Sequence, residues 1–252
     1  MAIENILSQL PRPTIFAHRG ASLYAPENTL AAFELAVRQG ADAIELDAKL
    51  TADGQIVVIH DQSVDRTTAV TGKVAEMTLV QLRQLDAGSH FDLRFRGEHI
   101  PTLNEVFEAV GKLTYTNIEL TNYGSFFDSL PDKVGELVIK HNLSQRVLFS
   151  SFNPFALIRI HRILPEVPIG LLAINGPSGW WARAWIGSLL SYQALHPHFA
   201  DVDQTLIEKL HHHKRRVHSY TINQADEMRR LVDCSIDGIF TDDPILALQT
   251  LR

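Results

Sequence analysis

The sequence predicts an α/β protein, a (β/α)8 TIM barrel with a β-hairpin and a small insertion after strand 2. Three observations carry that prediction. Short apolar runs alternate with helical patterns along almost all of the 252 residues, as expected of parallel strands buried on both faces. Nine runs qualify as strands, but only TADGQ separates two of them, far too short a link for a parallel crossover. Setting that hairpin arm aside leaves eight strands, and about 250 residues is the usual length of an eight-stranded barrel.

The strand candidates, in order, are residues 14–20 (TIFAHRG), 43–50 (AIELDAKL), 56–61 (IVVIHD), 115–120 (YTNIEL) and 146–152 (RVLFSSF), followed by 168–174 (PIGLLAI), 192–197 (YQALHP), 217–223 (VHSYTIN) and 238–244 (GIFTDDP). Asp53-Gly54 is a tight-turn signal, so 56–61 folds back antiparallel on 43–50. Between the strands lie amphipathic helices. Leu30, Phe33 and Val37 recur at helical spacing, as do Leu103, Val106, Phe107 and Val110 behind a capping box at Thr102 and Glu105. Asn153-Pro154 and Asp243-Pro244 each read as an N-cap followed by proline at the first helical position. Residues 62–101 lack strand–helix alternation and read as an insertion within one domain spanning 1–252. The chain shows no repeat, low-complexity tract or linker.

A hydrophobic fraction of 45% and a charged fraction of 21% are those of an ordinary globular protein. A formal charge of −6 argues against a nucleic-acid binder, yet allows an enzyme of anionic metabolites, because a metal can supply local positive charge. The single cysteine, Cys234, excludes an internal disulfide framework and suits a reducing compartment. The N-terminus carries no signal-peptide pattern, and no window approaches 18 apolar residues. The expectation is a soluble, cytoplasmic protein without stable membrane insertion. The most lipid-suggestive stretch, 179–195, holds all three tryptophans and is interrupted by Arg183. Trp180 and Trp181 are candidates for an apolar lip over a leaving-group pocket, or for packing against the barrel.

In such a barrel the functional groups sit at the carboxyl ends of the strands. His18 and Arg19 end the first strand, Glu45 and Asp47 share one face of the second, and Glu119 ends the next barrel strand. The hairpin returns His60 opposite residues 46–48. Three carboxylates at one mouth repel unless a cation holds them, and an all-oxygen set favours Mg²⁺ or Ca²⁺. Imidazoles titrate near neutrality and make His18 and His60 the candidate acid and base. Arg19 offers a bidentate fork for phosphate. One strand-end histidine is most often structural, but five such residues at matching strand ends form a phosphodiester-cleaving constellation. Glu27 lies near enough to orient His18 or Arg19. Asp61 either orients His60 or ends its strand, and Asp242 either shapes the mouth or is structural. HHHKRR (211–216) reads as a solvated helix end, its cations complementing the helix dipole.

The stretch AHRGASLYAPENTLAAFELAVRQGADAIELDAKLTADGQIVVIHDQSVDRTT closely resembles the opening of the glycerophosphodiester phosphodiesterase family, whose signature runs HRG, PENT, IE-x-D, DG, HD and RTT. The resemblance continues through LDAGSHF, IPTLNEVF, NIEL, SSFNP, ALHP and GIFTDDP. It implies metal-dependent hydrolysis of small glycerophosphodiesters to sn-glycerol 3-phosphate and an alcohol. Glu45, Asp47 and Glu119 would be metal ligands, His18 and His60 the acid/base pair, and Arg19 the phosphate binder. By analogy with related phospholipases C, either the substrate's own 2-hydroxyl or water attacks. The alternatives are a lysophospholipase D-type activity on lipid phosphodiesters, or a non-catalytic phosphodiester-binding barrel, which would have no use for two histidines. Two positions depart from the family. Thr121 stands where it usually carries lysine, which predicts weaker stabilisation of phosphate or ligand carboxylates, or a shifted metal preference. Tyr220 stands where it often carries tryptophan, keeping an aromatic wall and adding a hydroxyl.

Overall fold

The computed structural model describes residues 6–125, 127–183 and 191–252. Its strands are β1 (Thr14–Ala17), β2 (Ala43–Leu50), β3 (Ile56–Val58), β4 (Tyr115–Leu120), β5 (Val147–Ser151), β6 (Ile169–Ala173), β7 (Ala194–Pro197), β8 (Arg216–Ser219) and β9 (Gly238–Thr241). All except β3 are parallel to their neighbours, and β1 pairs with both β9 and β2, which closes an eight-stranded barrel. β3 runs antiparallel to β2, with Ala48 opposite Val58 and Leu50 opposite Ile56. The turn between them forms because Gly54 takes a positive φ of 71° and its N–H donates to the Thr51 carbonyl, while Thr51 Oγ1 donates to Asp53.

The barrel helices are α2 (Leu30–Gln39), α4 (Leu103–Val110), α5 (Leu130–His141), α6 (Pro154–Ile163), α7 (Trp180–Arg183), α8 (Gln204–His212), α9 (Ala225–Asp233) and α10 (Pro244–Leu251). The capping box at Thr102 and Glu105 is formed, and Asn153 and Asp243 cap α6 and α10 ahead of their prolines. Helix α2 is capped by Thr29, whose hydroxyl accepts from Ala32 N, so Asn28 is free for another task. A leading helix, α1 (Ile6–Gln9), packs Ile6 and Leu7, with Leu10 beyond it, on Phe16, Ala43, Leu148 and Phe240 at the amino end of the barrel.

Residues 62–101 form α3 (Leu79–Leu82) and two 3-10 turns rather than a strand–helix unit. They have a hydrophobic cluster of their own, in which Val64, Val74, Leu82, Leu85 and Ile100 pack on Val57 and Ile59 of the hairpin arm. The insertion is therefore built on β3 and rests over the carboxyl side of the barrel. The histidine-rich segment is only partly a solvated helix end. His212 and His213 are exposed, but His211 bonds buried Asp237 through Nε2 at 2.7 Å and Arg216 opens β8 as a buried residue. No helix among the described residues is long and apolar enough to cross a membrane.

Gly20 fixes the loop that follows β1. It has a φ of +85°, and a Cβ there would lie 2.6 Å from the backbone of Ala32 at the start of α2, a clash no side-chain rotation relieves. Gly20→Ala is expected to lower unfolding stability by roughly 1–3 kcal/mol, the usual cost of overpacking. Urea denaturation measures it, and an unchanged midpoint would show that the loop does not need this close approach.

Candidate active site

Glu45 and Asp47 alternate on the inward face of β2, and Asp47 lies directly opposite Glu119 of β4. One carboxylate oxygen from each of the three lies within 4.8 Å of the others. Each carboxylate is tied in place. The Arg19 backbone N–H donates to Glu45 Oε2 at 2.9 Å, Asn28 Nδ2 donates to Asp47 Oδ2 at 2.8 Å, and the Tyr123 hydroxyl donates to Glu119 Oε1. Arg19 and Asn28 both adopt left-handed backbone conformations (φ 58° and 56°), which turn these donors inward.

Crowding marks the carboxylates electrostatically. Burial, reinforced by repulsion from Asp47, pushes the Glu119 carboxyl up to about 8, against the Tyr123 hydrogen bond and the charge of Arg19. Burial and repulsion from Asp47 and Glu119 likewise raise Glu45 well above the usual carboxylate range. A group of oxygen donors that resists holding its own charge fits a hard divalent cation.

The two histidines face the cluster with matching partners. His18 Nδ1 lies 2.7 Å from Asp242 Oδ1, and His60 Nδ1 lies 2.7 Å from Asp61 Oδ1. Burial would raise both aspartates, but hydrogen bonds hold each at about 2. For Asp242 the donors are His18, Asn223 and Ser22, and for Asp61 they are Arg66 and His60. An ionised carboxylate only accepts, so each Nδ1 carries the hydrogen and each Nε2 is left for the cavity. Asp61 thus orients His60, and Asp242 orients His18 as well as closing its strand.

Arg66, from the insertion, connects the two sides. Its Nε donates to Asp61 Oδ2 at 2.6 Å and its Nη atoms donate to Glu27 at 2.6 and 2.9 Å, while Glu27 accepts from Arg19 Nη1 at 3.0 Å. A continuous run of charged hydrogen bonds therefore joins Arg19, Glu27, Arg66, Asp61 and His60. Glu27 orients Arg19 rather than His18.

The cavity encloses about 320 Å³ and is lined by His18, Arg19, Glu45, His60, Glu119 and Tyr220, among others. The Tyr220 ring forms part of its wall, and the added hydroxyl donates to the Ala173 carbonyl at 2.9 Å, pinning the wall to the end of β6. Thr121 is buried one layer beyond Glu119 and does not line this cavity. Trp180 opens α7 and is 55% exposed; the Trp181 side chain lies outside the described part of the structure.

Four participants escaped the sequence reading: Asn28, Arg66, Tyr123 and Asn223. Asn28 lies in the PENT motif just ahead of a helix start, where nothing local shows that it reaches Asp47, and Tyr123 and Asn223 follow strand ends without any periodic signal. Arg66 stood in the RTT motif, yet nothing local shows that it reaches Glu27, 39 residues away in sequence.

Comparisons with known proteins agree with this geometry. A model of the glycerophosphoryl diester phosphodiesterase family matches residues 18–246. A glycerophosphodiester phosphodiesterase of Caldanaerobacter subterraneus subsp. tengcongensis is 38% identical over 239 residues, covering 94% of this chain and 97% of that protein. The solved structure of an Oleispira antarctica phosphodiesterase in complex with the product sn-glycerol-3-phosphate superposes with a TM-score of 0.90 at 32% identity, covering 98% and 99% of the two chains. A glycerophosphodiester phosphodiesterase from Agrobacterium tumefaciens gives 0.80 at 30% identity, covering 94% and 99%.

The raised Glu119 makes stability depend on pH when divalent ions are stripped away. Its carboxyl goes from an ordinary 4.5 in the unfolded chain to about 8 in the fold, so the folded state holds the extra proton. That contribution is complete below about 4.5 and is lost as pH rises through about 8. The melting temperature of the chelator-treated protein should fall across this window, and Glu119→Gln should remove most of the fall. A flat profile would contradict the crowding of these carboxylates.

Proposed function

The chain belongs to the glycerophosphoryl diester phosphodiesterase family, a family of phosphoric diester hydrolases, and from that premise we propose how it works and on what. The substrate is a small glycerophosphodiester, split to sn-glycerol 3-phosphate and an alcohol. Glu45, Asp47 and Glu119 hold a divalent cation, Mg²⁺ or Ca²⁺, and His18 and His60 move the protons. The observation that carries this reading is the convergence of two His–Asp dyads and an all-oxygen cluster on one cavity, with Arg19 lining it between them.

When bound, such an ion withdraws charge from a phosphodiester and eases the approach of a nucleophile. Arg19 supplies a second positive group, its backbone committed to Glu45 and its guanidinium to Glu27, so the side chain is already oriented for phosphate oxygens. Each histidine keeps Nδ1–H on an ionised aspartate and presents Nε2 to the substrate. One imidazole takes the proton of the attacking oxygen, and the other, protonated, gives one to the leaving alcohol. Attack by the substrate's 2-hydroxyl and attack by water make the same demand on these two groups. The aspartates stabilise the imidazolium that forms on either side. A cavity of about 320 Å³ suits a small head group rather than a whole lipid.

A second reading, release of an alcohol from lyso-lipid phosphodiesters, rests on apolar side chains exposed after the strand ends. Phe127 and Phe155 contact each other at 5.3 Å between ring centroids, and Ile174 and Trp180 follow β6.

His18→Ala and His60→Ala should each reduce kcat by roughly 10²–10⁴-fold, the scale of general acid–base groups, with an unchanged circular dichroism spectrum. Near-wild-type turnover in either variant would remove that histidine from the mechanism. A coupled assay for released glycerol 3-phosphate, run over choline, ethanolamine and lyso-lipid head groups, should show turnover that chelator abolishes and Mg²⁺ or Ca²⁺ restores. Activity that survives chelation would rule out the cation, and faster turnover of lyso-lipids than of small diesters would favour the second reading.

A further inference from the structure

Lys49 continues the inward face of β2 beyond Glu45 and Asp47, and Thr121 continues the face of β4 beyond Glu119. Because Asp47 lies opposite Glu119, Lys49 and Thr121 form the next layer toward the mouth. The ladder persists there, with Thr121 N donating to the Ala48 carbonyl at 3.3 Å. Residues two apart on one face of a strand are separated by about 6.6 Å, which sets the distance between this layer and the carboxylates.

Lys49 is only 5% exposed. Its ammonium donates to Thr121 Oγ1 at 2.8 Å and to the Thr121 carbonyl at 3.4 Å. The Thr121 hydroxyl spends its own proton on the Ala48 carbonyl at 2.7 Å, so its lone pair faces the ammonium. Among the described residues no carboxylate touches Lys49, yet a buried ammonium with neutral partners alone is costly unless nearby charge balances it. Burial pushes the Lys49 ammonium below its ordinary range, and the charges of Asp47 and Glu119, followed by those of Asp61 and Asp128, oppose that push; Lys49 in turn opposes the upward push on Glu119.

We propose that Lys49 is a built-in counter-cation of the Glu45–Asp47–Glu119 cluster, a positioning residue anchored by Thr121 that holds the site together before a divalent ion arrives and is repelled by that ion afterwards. The inference rests on the reading of the cluster as a divalent-cation site. Its consequence is that the ammonium and the ion share the same negative charge. Lys49 stabilises the metal-free protein and weakens ion binding, keeping the ion exchangeable. Thr121 is then the fixed acceptor that keeps the ammonium one layer from the carboxylates instead of in contact with them.

The test uses the whole protein, stripped of divalent ions and titrated with Mg²⁺ alone at mildly alkaline pH by calorimetry, with melting temperatures taken at both ends. Lys49→Met should melt lower than wild type without Mg²⁺ and bind Mg²⁺ about tenfold more tightly, as expected from losing one like charge at this range. Lys49→Arg should keep a wild-type Kd. Thr121→Val keeps the charge but releases it toward the carboxylates, and should weaken Mg²⁺ binding, the opposite direction to Lys49→Met, by a smaller factor. That second variant decides the matter should Lys49→Met fail to fold. A merely structural lysine would lower the melting temperature equally with and without Mg²⁺ and leave the Kd unchanged, and that result overturns the inference while leaving the cation site intact. Failure of the wild type itself to bind Mg²⁺ or Ca²⁺ would overturn the cation-site reading and this inference together.

Discussion

Like-charge repulsion among three carboxylates is the constraint around which this barrel mouth is arranged. Two charges about 4 Å apart in a partly buried setting oppose each other by roughly 4 kcal/mol, and here three oxygens lie within 4.8 Å of one another. Every neighbour answers that cost with a donor or a cation. Arg19 offers its backbone N–H, Asn28 an amide, Tyr123 a hydroxyl and Lys49 an ammonium. Two of the four residues need a left-handed backbone to do so, which is why the loop after β1 is held so tightly by Gly20 and the start of α2.

The hairpin and the insertion solve a different problem. A (β/α)8 barrel provides strand ends around one rim, but β2 already spends its end on Glu45 and Asp47. Folding β3 back along β2 adds a further position on the same side, and it places His60 there. An exposed single strand would hold an imidazole poorly, and the insertion stiffens it in two ways. Its own apolar cluster grips Val57 and Ile59, and Arg66 clamps Asp61 to Glu27. The position of His60 is thereby tied to that of Arg19 through side chains rather than through the backbone.

Much of this was legible in the sequence because it is written in short-range signals. A five-residue gap cannot carry a crossover, so the hairpin followed from reach alone, and capping residues and alternating carboxylates are local patterns. What stayed hidden is long-range pairing. His18 and Asp242 are 224 positions apart, and neither shows by its spacing that the other orients it. Lys49 was invisible for another reason. In an alternating strand a lysine two residues beyond an aspartate reads as one more polar position, and only the register of β2 against β4 brings it to Thr121. That register also explains why the threonine at 121, taken from the sequence as a lost cation, is accompanied by a cation reaching across from the neighbouring strand.

The charge on the cavity wall is one-sided, and burial keeps it so. Arg19, Glu45 and Glu119 come from the β1, β2 and β4 side, whereas Ser150, Phe152, Leu172, Tyr220 and Phe240 come from the opposite arc. His196 and His198 also line that arc, and His218 packs against His196. Burial alone holds His196 down at about 3 and, with the adjacent His196, pushes His218 well below the ordinary imidazole range. The pair shares a hydrogen bond at 3.3 Å and packs against Phe16 and Phe240, and Gly170 leaves the room that the His196 ring fills. This partly aromatic arc carries no carboxylate or guanidinium among the described lining residues to compete with the carboxylate wall for a cation or with Arg19 for a phosphate. Charged side chains are thereby confined to the side of the cavity that His18 and His60 also line, and the opposite arc offers mainly uncharged and aromatic contacts.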